Sequence, residues 1–128
     1  MVGFSAGGHL AFLSACLLPL TRAVAIYPGW LTTTEVPFSR PAPTIELAPG
    51  LRGRLLVLFG EDDEIVDGSQ QKQIRAALDD AAVTYQFVSY PTTRHAFFWP
   101  NTPAFNETAR DDAWDRILDF LDDPAPAP

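Results

Sequence analysis

Two periods alternate along the chain. From Ala6 to Leu18 the residues are mostly Ala, Leu and Phe, with apolar side chains on nearly every side of the helical wheel, which predicts a helix buried on several sides. Ala23-Val-Ala-Ile-Tyr27 is a short apolar run stopped by Pro28-Gly29, the pattern of a buried strand. Arg54-Leu-Leu-Val-Leu-Phe-Gly60 is the clearest strand, and Thr84-Tyr-Gln-Phe-Val-Ser-Tyr90 alternates until Pro91 ends it. Two amphipathic helices complete the pattern. Asp67 to Ala82 places Ile74, Ala77, Leu78 and Ala81 on one face; Glu107 to Leu121 turns Trp114, Ile117, Leu118 and Leu121 inward and Arg110, Asp111, Asp115 and Arg116 outward.

Strand and helix therefore take turns, which predicts an α/β architecture of parallel strands joined by crossover helices. Three strands are convincing, too few to cover both edges of an apolar sheet. Trp30 to Gly53 is rich in proline (Pro37, Pro41, Pro43, Pro49) and reads as a long loop with one short helical turn. A loop of that length inside a compact domain is more often functional than accidental. Met1-Val2 stands directly before a glycine motif that usually follows a whole strand, so residues 1–122 read as part of a domain. Residues 123–128, ending Pro124-Ala-Pro-Ala-Pro128, read as a disordered tail.

Composition narrows the classes. Lys and Arg total 9 against 16 Asp and Glu, a net charge of -7, which disfavours nucleic acid and anionic membrane surfaces as partners. The longest apolar run, Leu10 to Leu20, is broken by Ser14 and Pro19 and falls short of the roughly 20 residues a membrane span needs. No Lys or Arg precedes Arg22, so a signal peptide lacks its positive region and a cytoplasmic location is expected. The single cysteine, Cys16, cannot form an internal disulfide or a zinc site and is expected as a buried small hydrophobe.

Gly3-Phe4-Ser5-Ala6-Gly7 matches G-x-S-x-G. That spacing suits a sharp strand-to-helix turn holding a serine in a strained conformation, with both flanking glycines needed because a Cβ at either place would strike backbone. The helix that follows aims its N-terminal N–H groups at the serine, so the Ala6 amide is a candidate oxyanion donor. The plainer alternative is a helix-capping serine. Context favours chemistry: a serine needs a histidine to take its proton and an acid to orient that histidine. The acids Glu61-Asp62-Asp63-Glu64 follow one strand and His95 follows the next, both at carboxyl ends, where open α/β sheets place ligands. Ser, then acid, then His is the chain order of α/β-hydrolases. His9 lies too close in sequence to serve Ser5 and is expected to be structural or to line the site.

Taken together, Gly3-Phe-Ser-Ala-Gly-Gly8, Phe59-Gly-Glu-Asp-Asp-Glu-Ile-Val66, Tyr90-Pro-Thr-Thr-Arg-His-Ala-Phe97 and Ile117-Leu-Asp-Phe-Leu121 resemble the carboxyl-terminal half of the dienelactone hydrolase family, which are α/β-hydrolases. The family's G-x-x-D-x-x-V falls on Gly60, Asp63 and Val66, and its H-x-F on His95 and Phe97. The resemblance implies Ser5 as nucleophile, His95 as base and Asp63 as orienting acid, with Asp62 the next choice. It implies acyl transfer to water on small carboxylic esters or lactones, with no metal and no organic cofactor. Tyr27, Trp30, Phe98 and Trp99 either wall the substrate pocket or pack the core, with Trp30 and Phe98 the pocket candidates; Trp114 reads as core. Two departures stand out. Dienelactone hydrolases proper carry cysteine at the nucleophile, and the resemblance starts at the elbow, so the earlier segment that would supply a second oxyanion N–H is expected to be missing. The alternatives are thus an incomplete fragment, a half that needs its other half or a second copy, or a non-catalytic binding module of the same shape.

Overall fold

In the computed structural model, which describes residues 1–124, four strands form one parallel sheet in chain order. They are β1 (Val2–Phe4), β2 (Arg22–Ile26), β3 (Arg54–Gly60) and β4 (Thr84–Tyr90). The helices are α1 (Ala6–Leu17), α2 (Gly68–Asp80) and α3 (Glu107–Asp122). The expected α/β architecture is present with one strand more than the three counted from sequence. Val2 to Phe4 is too short to show a period, yet it pairs with β2, Val2 against Val24 and Phe4 against Ile26.

β2 and β3 are the inner strands. Beyond their first residues every position is buried, including Val24, Ile26, Leu55, Leu56 and Leu58, which accounts for continuous apolar runs without alternation. β4 is an edge strand with a mixed exposure pattern, as its alternating sequence requires. The segment between β2 and β3 holds two 3-10 helices, Pro37–Ser39 and Thr44–Gly50, where one short turn was expected. The second packs against α1. No helix among the described residues is long and apolar enough to cross a membrane.

Two expectations about burial are corrected. α1 is covered on one side only: His9, Ala11, Phe12, Ala15 and Cys16 are buried, whereas Leu10, Leu17 and Leu18 are exposed. α3 is rotated relative to its expected inner face. Ala109, Ala113, Ile117 and Phe120 are buried, while Trp114, Leu118 and Leu121 are 48%, 42% and 37% exposed. The small Ala109 and Ala113 let the helix lie close to the sheet, and the bulkier row beside them is left outside. At the chain's end Asp123 is held by Arg54, Nη1 to Oδ2 at 2.6 Å; residues 125–128 of the expected tail lie outside the described residues.

Candidate active site

The turn from β1 into α1 presents Ser5. Its backbone has φ 54° and ψ -115°, a conformation L-residues rarely adopt, at a cost of about 1–3 kcal/mol. The turn is held by Ser5 N–H donating to the Ile26 carbonyl at 2.9 Å and by His9 N–H donating to the Ser5 carbonyl at 3.0 Å. A Cβ on Gly3 would stand 1.9 Å from the Gly7 carbonyl oxygen, so the close approach of strand and helix excludes any side chain there. The second glycine of the motif differs: a Cβ on Gly7 would meet nothing within 4 Å, contrary to the expectation that both flanking glycines are sterically required. Ser5 makes no side-chain cap bond to its helix. Its Oγ instead lies 2.9 Å from His95 Nε2.

His95 is 7% exposed, in the segment between β4 and α3. Its Nδ1 lies 2.8 Å from Asp63 Oδ2. A carboxylate only accepts, so Nδ1 carries a proton, and in the neutral form of the ring Nε2 accepts from the Ser5 hydroxyl. The Tyr27 ring packs on the imidazole at 4.9 Å between centroids. Burial and the Asp63 charge hold the Tyr27 phenol above its ordinary range.

Asp63 is buried, and its other oxygen, Oδ1, accepts the Ile65 and Val66 amides at 2.8 and 2.7 Å. Gln71 fixes this turn from α2, donating through Nε2 to the carbonyls of Gly60 and Val66, each at 2.9 Å. A hydroxyl bonded to a neutral imidazole nitrogen, with the opposite nitrogen held by a buried carboxylate, can pass the hydroxyl proton to the ring as the oxygen attacks a carbonyl. Among the described residues no group of three or more His, Cys, Asp or Glu is arranged to hold a metal ion.

Ser5, Asp63 and His95 are thus brought together from three separate stretches of chain. Asp62 is exposed, and only its backbone reaches the histidine's segment, N–H to the Thr93 carbonyl at 2.9 Å. The Ala6 amide opens α1, where helix N–H groups have no intrahelical acceptor. His9 is fully buried and structural: Nδ1 donates to the Gly29 carbonyl and Nε2 accepts from Thr44 Oγ1, both at 2.7 Å. Trp30 follows Gly29 in that anchored loop and is half-buried at φ 61°. Phe98 stacks edge-on to Phe4 at 5.1 Å and forms, with Arg110, Asp111 and Trp114, a groove of about 350 Å³. Trp99 packs on Phe4 but is half-exposed, and Cys16 is buried, its thiol pushed by burial to about 12.

Sequence reasoning passes over Gln71 and considers Glu64 only as one of four candidate acids. A glutamine on the apolar face of α2 was the available signal for the first. The Glu64 carboxylate accepts the His95 backbone N–H at 3.2 Å and pairs with Arg94 at 3.2 Å. Burial alone would raise its pKa, but the Glu64 and His95 amides and the Arg94 guanidinium together bring it below its ordinary value. That contact joins residues 31 apart through a main-chain atom, which no side-chain pattern reveals.

A parallel sheet whose strand ends gather a strained serine, a carboxylate and a histidine in this chain order is the architecture of an α/β-hydrolase. Within that class the chain belongs to the dienelactone hydrolase family, whose model matches residues 1–124. It is 29% identical over 120 residues to a "Putative carboxymethylenebutenolidase" of Synechocystis sp., covering 91% of this chain and 47% of that protein. The Escherichia coli protein of the same name is 27% identical over 121 residues, covering 94% and 44%. The solved structure of a "Putative Dienelactone Hydrolase" from Klebsiella pneumoniae superposes with a TM-score of 0.85 at 30% identity, covering 94% of this chain and 50% of that one. The chain therefore spans about half the length of the relatives it matches.

Proposed function

We propose that this chain carries the reacting residues of a serine hydrolase that cleaves small carboxylic esters or lactones through an acyl-enzyme. The observation that carries the reading is the unbroken line of hydrogen bonds from Ser5 Oγ to His95 Nε2 and from His95 Nδ1 to Asp63 Oδ2. Ser5 Oγ attacks the carbonyl carbon as its proton moves to Nε2. Asp63 holds the ring and stabilises its positive form. The Ala6 N–H donates to the developing oxyanion. The leaving alcohol takes the proton from His95, and water then hydrolyses the acyl-enzyme with His95 again as base. Trp30, on the loop that His9 anchors through Gly29, is assigned to the substrate pocket, and Phe98, stacked on Phe4, to its supporting wall. The relatives' name is built on butenolide, an unsaturated lactone, which supports lactones beside open esters.

A second reading has its own support. Ala6 supplies one oxyanion donor, and the chain covers less than half of the two curated relatives. Losing one donor of a pair costs about 100- to 1,000-fold in kcat, so the chain alone can hold a competent serine and still turn over slowly. A fluorophosphonate probe tests both readings. The first expects one probe adduct on Ser5 in the folded protein, none in Ser5→Ala, and p-nitrophenyl acetate hydrolysis lowered by at least about a thousandfold in that variant. Labelling without turnover selects the second; a folded chain that takes no probe rejects both.

A further inference from the structure

The histidine of the proposed reaction hangs from an irregular segment. Thr92 and Ala96, on either side of it, have φ of 50° and 66°, outside the range L-residues favour, so neighbouring structure must hold them there. The turn after β3 does this with successive residues. Glu61 N–H donates to the Tyr90 carbonyl at 2.8 Å, Asp62 N–H to the Thr93 carbonyl at 2.9 Å, and Asp63 accepts from the imidazole. Glu64 continues the series in the opposite sense: Oε2 accepts the backbone N–H of His95, and Oε1 accepts from Arg94.

We infer that Glu64, through the backbone amide of His95, is a positioning residue that fixes where the imidazole stands between Asp63 and Ser5; the inference rests on the hydrolase reading above. Asp63 sets the tilt of the ring and Tyr27 flanks it, but neither holds the main chain from which the ring projects. Proton transfer needs the ring nitrogen in place to a fraction of an ångström. The Arg94 pair is half-exposed on both sides and contributes little by itself. The bond to the amide is the one that reaches the chemistry. Glu64 bonds to protein rather than substrate, so its loss appears in kcat and not in KM.

The test compares Glu64→Ala, Glu64→Gln and Arg94→Gln for p-nitrophenyl ester hydrolysis and for hydrogen exchange of the His95 amide by NMR. Glu64→Ala is expected to lower kcat about 5- to 20-fold with KM within about twofold, and to speed His95 amide exchange at least about fivefold. Glu64→Gln keeps an acceptor for the amide and should recover kcat to within about threefold of wild type; Arg94→Gln should cost only about twofold. Glu64→Asp, one methylene short of the amide, replaces Glu64→Ala if that variant does not fold, with the same expectation. A wild-type kcat in Glu64→Ala, or a loss in Glu64→Gln as large as in Glu64→Ala, overturns the inference. Exchange needs no turnover, so the two failures separate: unchanged His95 exchange in Glu64→Ala removes Glu64 from its role, whereas a wild-type chain that takes no fluorophosphonate removes the hydrolase reading.

Discussion

A serine at the head of a helix can cap that helix or face outward, and Ser5 faces outward: its Oγ bonds His95 rather than any helix amide. The motif alone left both uses open, and the ordered acid and histidine downstream were what pointed to the second. The acid was harder to read. Asp62 and Asp63 are adjacent and chemically equal, and only the turn geometry, with Ile65 and Val66 amides folding back onto Asp63, decides which points inward. His9 illustrates the opposite outcome, a histidine absorbed by structure. Burial lowers its pKa, with the Gly29 carbonyl opposing. The unfolded chain therefore binds a proton near pH 6.5 that the folded chain resists, so stability is full above about pH 6.5 and is lost as pH falls below it. The loss is at most about 1.4 kcal/mol per pH unit from this one group. Urea denaturation of His9→Gln between pH 7 and pH 5 should show a smaller drop than wild type; an equal drop would mean that His9 does not resist protonation in the fold.

Elements were legible where one period dominated and illegible where two rows competed. β3 and β4 have the bounds their sequences predict, because a full apolar run and a clean alternation each admit one interpretation. α3 carries apolar residues in two adjacent rows, Ala109-Ala113-Ile117-Phe120 and Trp114-Leu118-Leu121, and hydrophobicity favours the bulkier one. The sheet selects the smaller row because alanines permit close approach, a preference that depends on what the helix packs against. At the end of β3 the fit is tighter still. A Cβ on Gly60 would lie 2.1 Å from the Thr93 carbonyl, in the segment that carries His95. Gly60→Ala is expected to cost about 1–3 kcal/mol in urea denaturation and to lower ester hydrolysis beyond the fraction unfolded, because the displaced carbonyl is the one the Asp62 N–H holds, two residues before His95. Full activity at reduced stability would show that the segment yields without moving the imidazole.

Among the described residues, the features left unpartnered include the row that α3 turns away from the sheet, the exposed leucines of α1 and the two margins of the sheet, β1 being one of them. Trp114, Leu118 and Leu121 remain exposed, Trp114 shares a groove with Phe98, and Phe98 stacks on Phe4 of β1. β1 is bonded to β2 along one side, and Met1 and Val2 are 56% and 42% exposed. An apolar row and an open strand margin on one chain are the ingredients of self-association, and a net charge of -7 opposes it only over about 10 Å at 0.1 M salt. The isolated chain is therefore expected to associate with a second copy, the more so at higher salt. Sedimentation velocity from about 1 to 100 μM should show the sedimentation coefficient rising with concentration, and Trp114→Glu with Leu118→Glu should shift the midpoint at least about tenfold higher, since burying two such side chains contributes about 1.5–3 kcal/mol each. A wild-type chain that stays monomeric over that range at 0.5 M salt would mean that the row is tolerated in water as it stands. Association unaffected by the two charges would place the contact elsewhere, at a strand margin or on the exposed leucines of α1, rather than on the outer row of α3.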